Sequence, residues 1–331
     1  MMRNNRFFFI GLPLVAMCLL LANCSNKINT LSILHANINC SDFEQSRSFY
    51  EMLGFASYLE SDIETSAEAA AGLGMPPYQL HASSMMLAGD GYLLDLIEWI
   101  DPYDPSAPYA LINHLGLSRL SLKTTSLDAD IATLQAQGVV FLSEPVTINR
   151  PVENSRLVCF KDPDGTLIEL VELGDSVIGE PNRAGTYVTG ALQTNVNCSD
   201  FEVSKSFYEM LGFVTQDEIE ETGTLELAAA VGLPSYQVRA SKMSLPFGHS
   251  LNLTRWEDPY DSSPPYALVN HIGIPRIAIW TVNLNADINI LKAQGVEFYS
   301  EPVRPEGMFG FLRFVCFEDP DGTVIELAQL F

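Results

Sequence analysis

Nothing constrains this chain more than a passage written twice. "NINCSDFEQSRSFYEMLGF" at residues 37–55 returns as "NVNCSDFEVSKSFYEMLGF" at 195–213. "WIDPYDPSAPYALINHLG" (99–116) returns as "WEDPYDSSPPYALVNHIG" (256–273), and "VCFKDPDGTLIELVEL" (158–173) as "VCFEDPDGTVIELAQL" (315–330). The offset is 157 or 158 throughout, so one unit is present in two copies. Between them lies "GDSVIGEPNRAGT", which has Gly, Pro and no apolar period and reads as a linker. The expected units are residues 30–173 and 188–331, joined by 174–187.

Each unit divides again. "LHANINC" alternates as a half-buried strand does, and "SDFEQSRSFYEMLGF" reads as a helix. Ser41 with Glu44, and Ser199 with Glu202, have capping-box spacing, while Gly54 and Gly212 supply the stops. A second half opens with "RLSLKTT", runs through "LDADIATLQAQG" and closes on a hairpin at "DPDG", where Gly suits a positive φ. Strand, helix, then three strands, four times over, is an α+β plan of four βαβββ modules.

Acids outnumber bases 41 to 18, for a net charge of −23. Nucleic-acid binding needs basic surface and is excluded as an expectation. The N-terminus has Arg3 and Arg6, an apolar run from Phe7 to Ala22 that contains Pro13, and then Cys24. The run is short for a spanning helix and reads as an export signal. "LLANC" resembles a bacterial lipobox with Cys24 as the lipidated residue, although Asn23 is larger than usual there. With Ser25 next, that resemblance implies an outer-membrane lipoprotein facing the periplasm; a plain signal peptide or an uncleaved anchor is the alternative. Cys40, Cys159, Cys198 and Cys316 sit in apolar strand patterns and read as buried free thiols.

The motifs "SDFEQSRSFYEMLGF" and "DPDGTLIELVE", with their second copies, resemble the vicinal oxygen chelate group, the glyoxalase/bleomycin resistance/dioxygenase superfamily. The resemblance covers about residues 30–173 and 188–331 and implies paired modules that curl a sheet into a cup around a ligand. In metal-binding members, four strand positions point into the cup. Carried over one by one, they fall on His35, Asp95, Arg119 and Glu169 in the first copy, and on Gln193, Asn252, Arg276 and Glu326 in the second. Whether each copy closes its own cup or the copies exchange modules is open at this point.

The arginines decide the chemistry. A guanidinium has no lone pair to donate, and beside a divalent cation it is repelled. No metal cofactor is therefore expected. The rival reading places iron, manganese or zinc on His35, Asp95 and Glu169, in a lyase or ring-cleaving dioxygenase. Arg119 pairs with Glu169 in either a structural ion pair or an anion receptor. By strand parity Asn37 and Asn39 share the face of His35, Asn195 and Asn197 that of Gln193, Trp99 that of Asp95, and Trp256 that of Asn252. Amides, an arginine and an indole suit a small polar or aromatic ligand better than a hydrocarbon, and the arginine suits an anion, so a small anionic or polar molecule is expected. His114 and His271 fall in the module connector, the alternative for His114 being a lid over the cup rim. A non-catalytic structural or interaction role is the third reading, and the oligomeric state is open.

Overall fold

The computed structural model describes residues 27–87, 92–149 and 154–331; the stretch expected to be an export signal, with Cys24, lies outside them. The first module supplies strands β1 (Thr30–Cys40), β2 (Phe55–Glu64), β3 (Gln79–Leu87) and β4 (Leu93–Asp101). The second supplies β5 (Gly116–Thr124), β6 (Val146–Ile148), β7 (Ser155–Lys161) and β8 (Leu167–Leu173). The third supplies β9 (Val188–Asn197), β10 (Val214–Thr222), β11 (Gln237–Ser244) and β12 (Ser250–Asp258). The fourth supplies β13 (Arg276–Thr281), β14 (Leu312–Glu318) and β15 (Val324–Leu330), with an isolated bridge at Val303–Phe314 where its remaining strand was expected.

Two curved sheets result, and they settle the question of module pairing. One has the order β14-β15-β13-β1-β4-β3-β2 and joins the first module to the fourth. The other has the order β10-β11-β12-β9-β5-β8-β7-β6 and joins the second to the third. We call them the terminal and the central cup. The joints are antiparallel: β1 meets β13 with His35 opposite Ala278, and β5 meets β9 with Arg119 opposite Asn195. Neither sequence copy closes a cup by itself.

The largest apolar cluster draws on both sheets, with Ile38, Leu94 and Phe317 from one and Leu122, Val196 and Leu253 from the other. The helices Phe43–Met52 and Phe201–Met210 each bury a stripe, Phe43, Ser46 and Tyr50 in the first, at helical spacing. Their caps differ from the expected pattern. Asp42 and Asp200, not the serines before them, accept the N–H bonds of Gln45 and Val203. Ser41 and Ser199 instead donate to Asp164 and Asp321 in the "DPDG" turns of the following modules.

Those turns tie together modules that are neighbours in sequence but lie in different sheets. Tyr50 donates to Asp162 at 2.8 Å, and Tyr208 to Asp319 at 3.0 Å. The other oxygen of Asp162 takes the N–H groups of Asp164, Gly165 and Thr166, with Gly165 at φ 102°. Burial pushes both carboxyls up to about 6, although these donors pull the other way. The four cysteines are free and buried, as expected.

The connectors between modules interlock around the pseudo-twofold axis. Asn113 donates to the carbonyl of Pro259, and Asn270 to that of Pro102, each at 3.0 Å. Tyr109 and Tyr266 stack at 5.1 Å, with His114 against the first and His271 against the second. Gly116 is at φ 88°, and a Cβ there would meet Pro265 of the other connector at 2.9 Å. The similarity of these two passages therefore has a packing reason: each must fit the other.

Because β1 and β5 are interior strands whose antiparallel partners lie in the other copy, residues 27–180 alone would expose two long edges. That fragment is expected to self-associate or stay unfolded, and to fold when co-expressed with residues 181–331. Sedimentation analysis checks this; a folded monomeric fragment would contradict the strand order.

Candidate functional site

The sheet order regroups the candidate residues. His35 and Asp95 share the terminal cup with Arg276 and Glu326, and Gln193 and Asn252 share the central cup with Arg119 and Glu169. The grouping by sequence copy is corrected accordingly. The suggested metal set is split: Glu169 stands in a different sheet from His35 and Asp95, because β5, which carries β8 on its other edge, pairs with β9 rather than with β1.

In the central cup, register puts Arg119 opposite Asn195, Ser121 opposite both Gln193 and Glu169, and Asn252 opposite Asn195. Residues paired across strands share a face, so this group forms one floor. Arg119 Nε lies 3.2 Å from Glu169, whose other oxygen accepts from Ser121. Burial pulls the Arg119 pKa down, but the Glu169 carboxylate, with smaller contributions from Cys159 and Tyr236, raises it overall, and the guanidinium stays charged. Asn195 donates to Ser121 at 2.8 Å and accepts from Gln193 at 3.1 Å and Asn252 at 3.3 Å. Asn252 also reaches Thr254 at 3.0 Å. Above this floor is a cleft of about 820 Å³, lined among others by Arg119, Gln193, Asn252, Tyr236 and Trp256.

In the terminal cup the same backbone holds different partners. Arg276 donates from Nε to Glu326 at 3.2 Å. His35 Nε2 is 3.4 Å from Asp95, whose other oxygen accepts from Ser84 at 2.6 Å. Ala278 and Ile97 stand where the central cup has Ser121 and Thr254. The short helix Ala67–Gly72 sits against the open side of this cup, close enough that a Cβ on Gly72 would meet Val303 at 2.5 Å and Phe314 at 2.9 Å.

Several expected site residues are structural. Asn39 donates to the connector carbonyls of Val269 and His271, and Asn197 to those of Ile112 and His114. They brace the connectors rather than face a ligand. Trp99 packs edge-on against Tyr78 at 5.2 Å; Trp256 packs likewise on Tyr236 at 5.1 Å and donates to Asn197 at 3.2 Å, but keeps its place in the cleft lining. His114 is buried in the connector with its Nδ1 at 2.7 Å from the carbonyl of Leu115, not over a cup rim. Burial pulls its pKa down to about 4. Four residues were missed. Ser121 and Thr254 lie two positions from Arg119 and Asn252, and strand parity alone would have found them. Ser84 needed the register of a neighbouring strand, and Tyr236, in a loop, carried no signal.

With this geometry, the comparisons with known proteins have a clear reading. The glyoxalase/bleomycin resistance protein/dioxygenase superfamily matches residues 32–170 and 190–327, which is most of the chain. The chain belongs to that superfamily. The uncharacterized protein YwkD of Bacillus subtilis is 31% identical over 143 residues, which is 43% of this chain and 96% of that protein. Glyoxalase I from Zea mays has a similar structure, with TM-score 0.60, 17% identity, and 91% of this chain and 93% of that chain covered. A putative dioxygenase from Bacillus subtilis follows at TM-score 0.57 and 11% identity, covering 91% and 86%. At these identities the two structures are alike in fold.

Superfamily cups can hold a divalent metal, which needs several lone-pair donors around one point. Among the described residues no three His, Cys, Asp or Glu side chains group closely enough to hold a metal ion. In each cup one of the four positions is an arginine within 3.2 Å of the carboxylate that would be a ligand. The central cup adds only neutral amides. Neither set fits a divalent cation.

Arg119→Met should destabilise the fold by about 3–5 kcal/mol, because Glu169 then stays buried without its counter-charge. Adding Glu169→Gln should recover most of the loss. Denaturant melts of the parent, single and double variants check this, and a single variant as stable as the parent would contradict a paired role for Glu169.

Proposed function

We propose that this chain is an envelope-anchored binding protein of the superfamily, taking a small polar molecule into the central cup without a metal. The observation that carries the reading is the Arg119–Glu169 pair at the floor of the cleft, at positions where a metal site needs lone-pair donors. A closed ion pair with a hydrogen-bonded amide floor recognises shape and polarity.

Of the two ligand classes open from the sequence, the charge of the lining favours the neutral polar one. Arg119 and Lys242 are opposed by Glu169, Asp217, Glu220 and Glu221. An anion entering there meets an excess of carboxylates, and the Arg119 charge is already balanced by Glu169. The aromatic wall of Tyr236 and Trp256 suits a flat ligand with polar edges.

Two measurements test this. Thermal-shift screening of neutral amides, phenols and lactones, alongside carboxylates and phosphate esters, should give stabilising hits for the parent that are lost in Arg119→Met/Glu169→Gln. Metal analysis of the chain purified without its first 24 residues should find no stoichiometric iron, manganese or zinc. About one tightly held metal per chain would instead support the lyase or dioxygenase reading.

The anchoring rests on "LLANC" and the apolar run before it. Cys24→Ala should leave the protein unlipidated and shift it from the membrane to the soluble fraction, since acyl chains anchor through about 0.8 kcal/mol per buried methylene. Unchanged processing and fractionation would rule the lipidated cysteine out.

A further inference from the structure

We propose that the floor of the terminal cup is a second binding site, for a small neutral molecule that presents a carbonyl beside an N–H, as a carboxamide or lactam does. This is independent of the reading of the central cup.

The argument starts from Asn37. It is fully buried, and neither its Nδ2 nor its Oδ1 has a hydrogen-bond partner in the protein. Its register partner on β4 is Asp95. Ala36 pairs with Ile277, so the next antiparallel step brings Asn37 opposite Arg276. Two further atoms of this floor lack hydrogen bonds, His35 Nε2 and Arg276 Nη1. His35 and Arg276 keep their ion-pair partners Asp95 and Glu326, whereas Asn37 has none at either atom; buried polar groups are nearly always satisfied, so this amide calls for an explanation.

The central cup shows what has changed. There the equivalent Asn195 is satisfied by Ser121, Gln193 and Asn252. In the terminal cup those positions are Ala278, His35 and Asp95. Ala278 offers no acceptor. Asp95 replaces an amide donor with a carboxylate, and that carboxylate is taken up by Ser84 and faces His35. The same floor has only methyl groups at Ala82, Ala278 and Ala328, all fully buried, and none of them offers Asn37 a polar partner.

The chemistry of the unpartnered atoms selects the ligand. A side-chain amide has its N–H and C=O side by side, and a ligand amide or lactam meets both at once with two parallel hydrogen bonds. Arg276 Nη1 can add a donor to the same ligand carbonyl. A carboxylate ligand is disfavoured, because Asp95 and Glu326 already outnumber Arg276 on this floor.

The test is saturation-transfer NMR on the mature chain with 2-pyrrolidinone and acetamide, using acetate as the charged isostere and acetone as the acceptor-only control. The two amides should show transfer well above both controls, and it should persist in Arg119→Met/Glu169→Gln, which alters only the central cup. Asn37→Leu should weaken binding about tenfold, as expected for two lost hydrogen bonds. It should also raise the melting temperature of the unliganded protein, because an unsatisfied buried amide is removed. Ala278→Ser/Ile97→Thr, which installs the two hydroxyls of the central cup, should act the same way and keeps the test decisive if the leucine variant fails to fold. Amide transfer no greater than that of the controls, or equal in parent and both variants, would overturn the site and leave water as the partner of Asn37. So would loss of transfer only in the central-cup variant.

Discussion

The antiparallel joints β1–β13 and β5–β9 are what the rest of the structure depends on. Each runs through the middle of a sheet, so each fixes which residues share a cup floor. The joint between β5 and β9 brings Arg119 of one copy against Asn195 of the other, and the joint between β1 and β13 does the same for His35 and Ala278. The duplicated sequence is thus used crosswise. The sheets join remote modules, while the Tyr50–Asp162 and Tyr208–Asp319 bonds hold each helix to the turn of the next module along the chain. Cutting the chain between the copies would divide both floors.

Much of this was legible in the sequence. The repeat gave four modules, and the 2-residue and helical periods placed their strands and helices. The ion pair of Arg119 with Glu169 followed from carrying the cup positions of the superfamily onto these two strands. Partner choice was not legible. A strand that reads "LHANINC" accepts an antiparallel neighbour from either copy equally well, since the two candidates, "RLSLKTT" and "RIAIWTV", are near equivalents. What decides is the path of the connectors, and their fit lies in long-range contacts such as Asn113 to Pro259 and Gly116 against Pro265. The capping serines failed for a related reason: Ser41 and Ser199 had acidic partners in another module, which local spacing cannot reveal.

Asn39 and Asn197 show how parity can place a residue on the right face and still give the wrong role. Both lie two positions along from cup-floor amides, at the ends of their strands where the connectors pass. There each amide meets two carbonyls at once, which are otherwise orphaned by the turn. Backbone satisfaction takes precedence, and the side chain is spent on the scaffold.

The two floors carry the same asparagine and the same arginine–carboxylate pair, yet their polar atoms are balanced differently. In the central cup every donor of Asn195 finds an acceptor, and the chain of bonds ends on Glu169 through Ser121. Removing that serine hydroxyl, as Ala278 does, breaks the chain at its link. The amide beside it is then left facing a carboxylate that has other partners. A duplicated cup can therefore change what it asks of a ligand without changing its backbone. A floor that satisfies itself contributes to stability and leaves recognition to the walls of the cleft. A floor with unpaired donors and acceptors is less stable empty, and returns that difference to whatever molecule completes it.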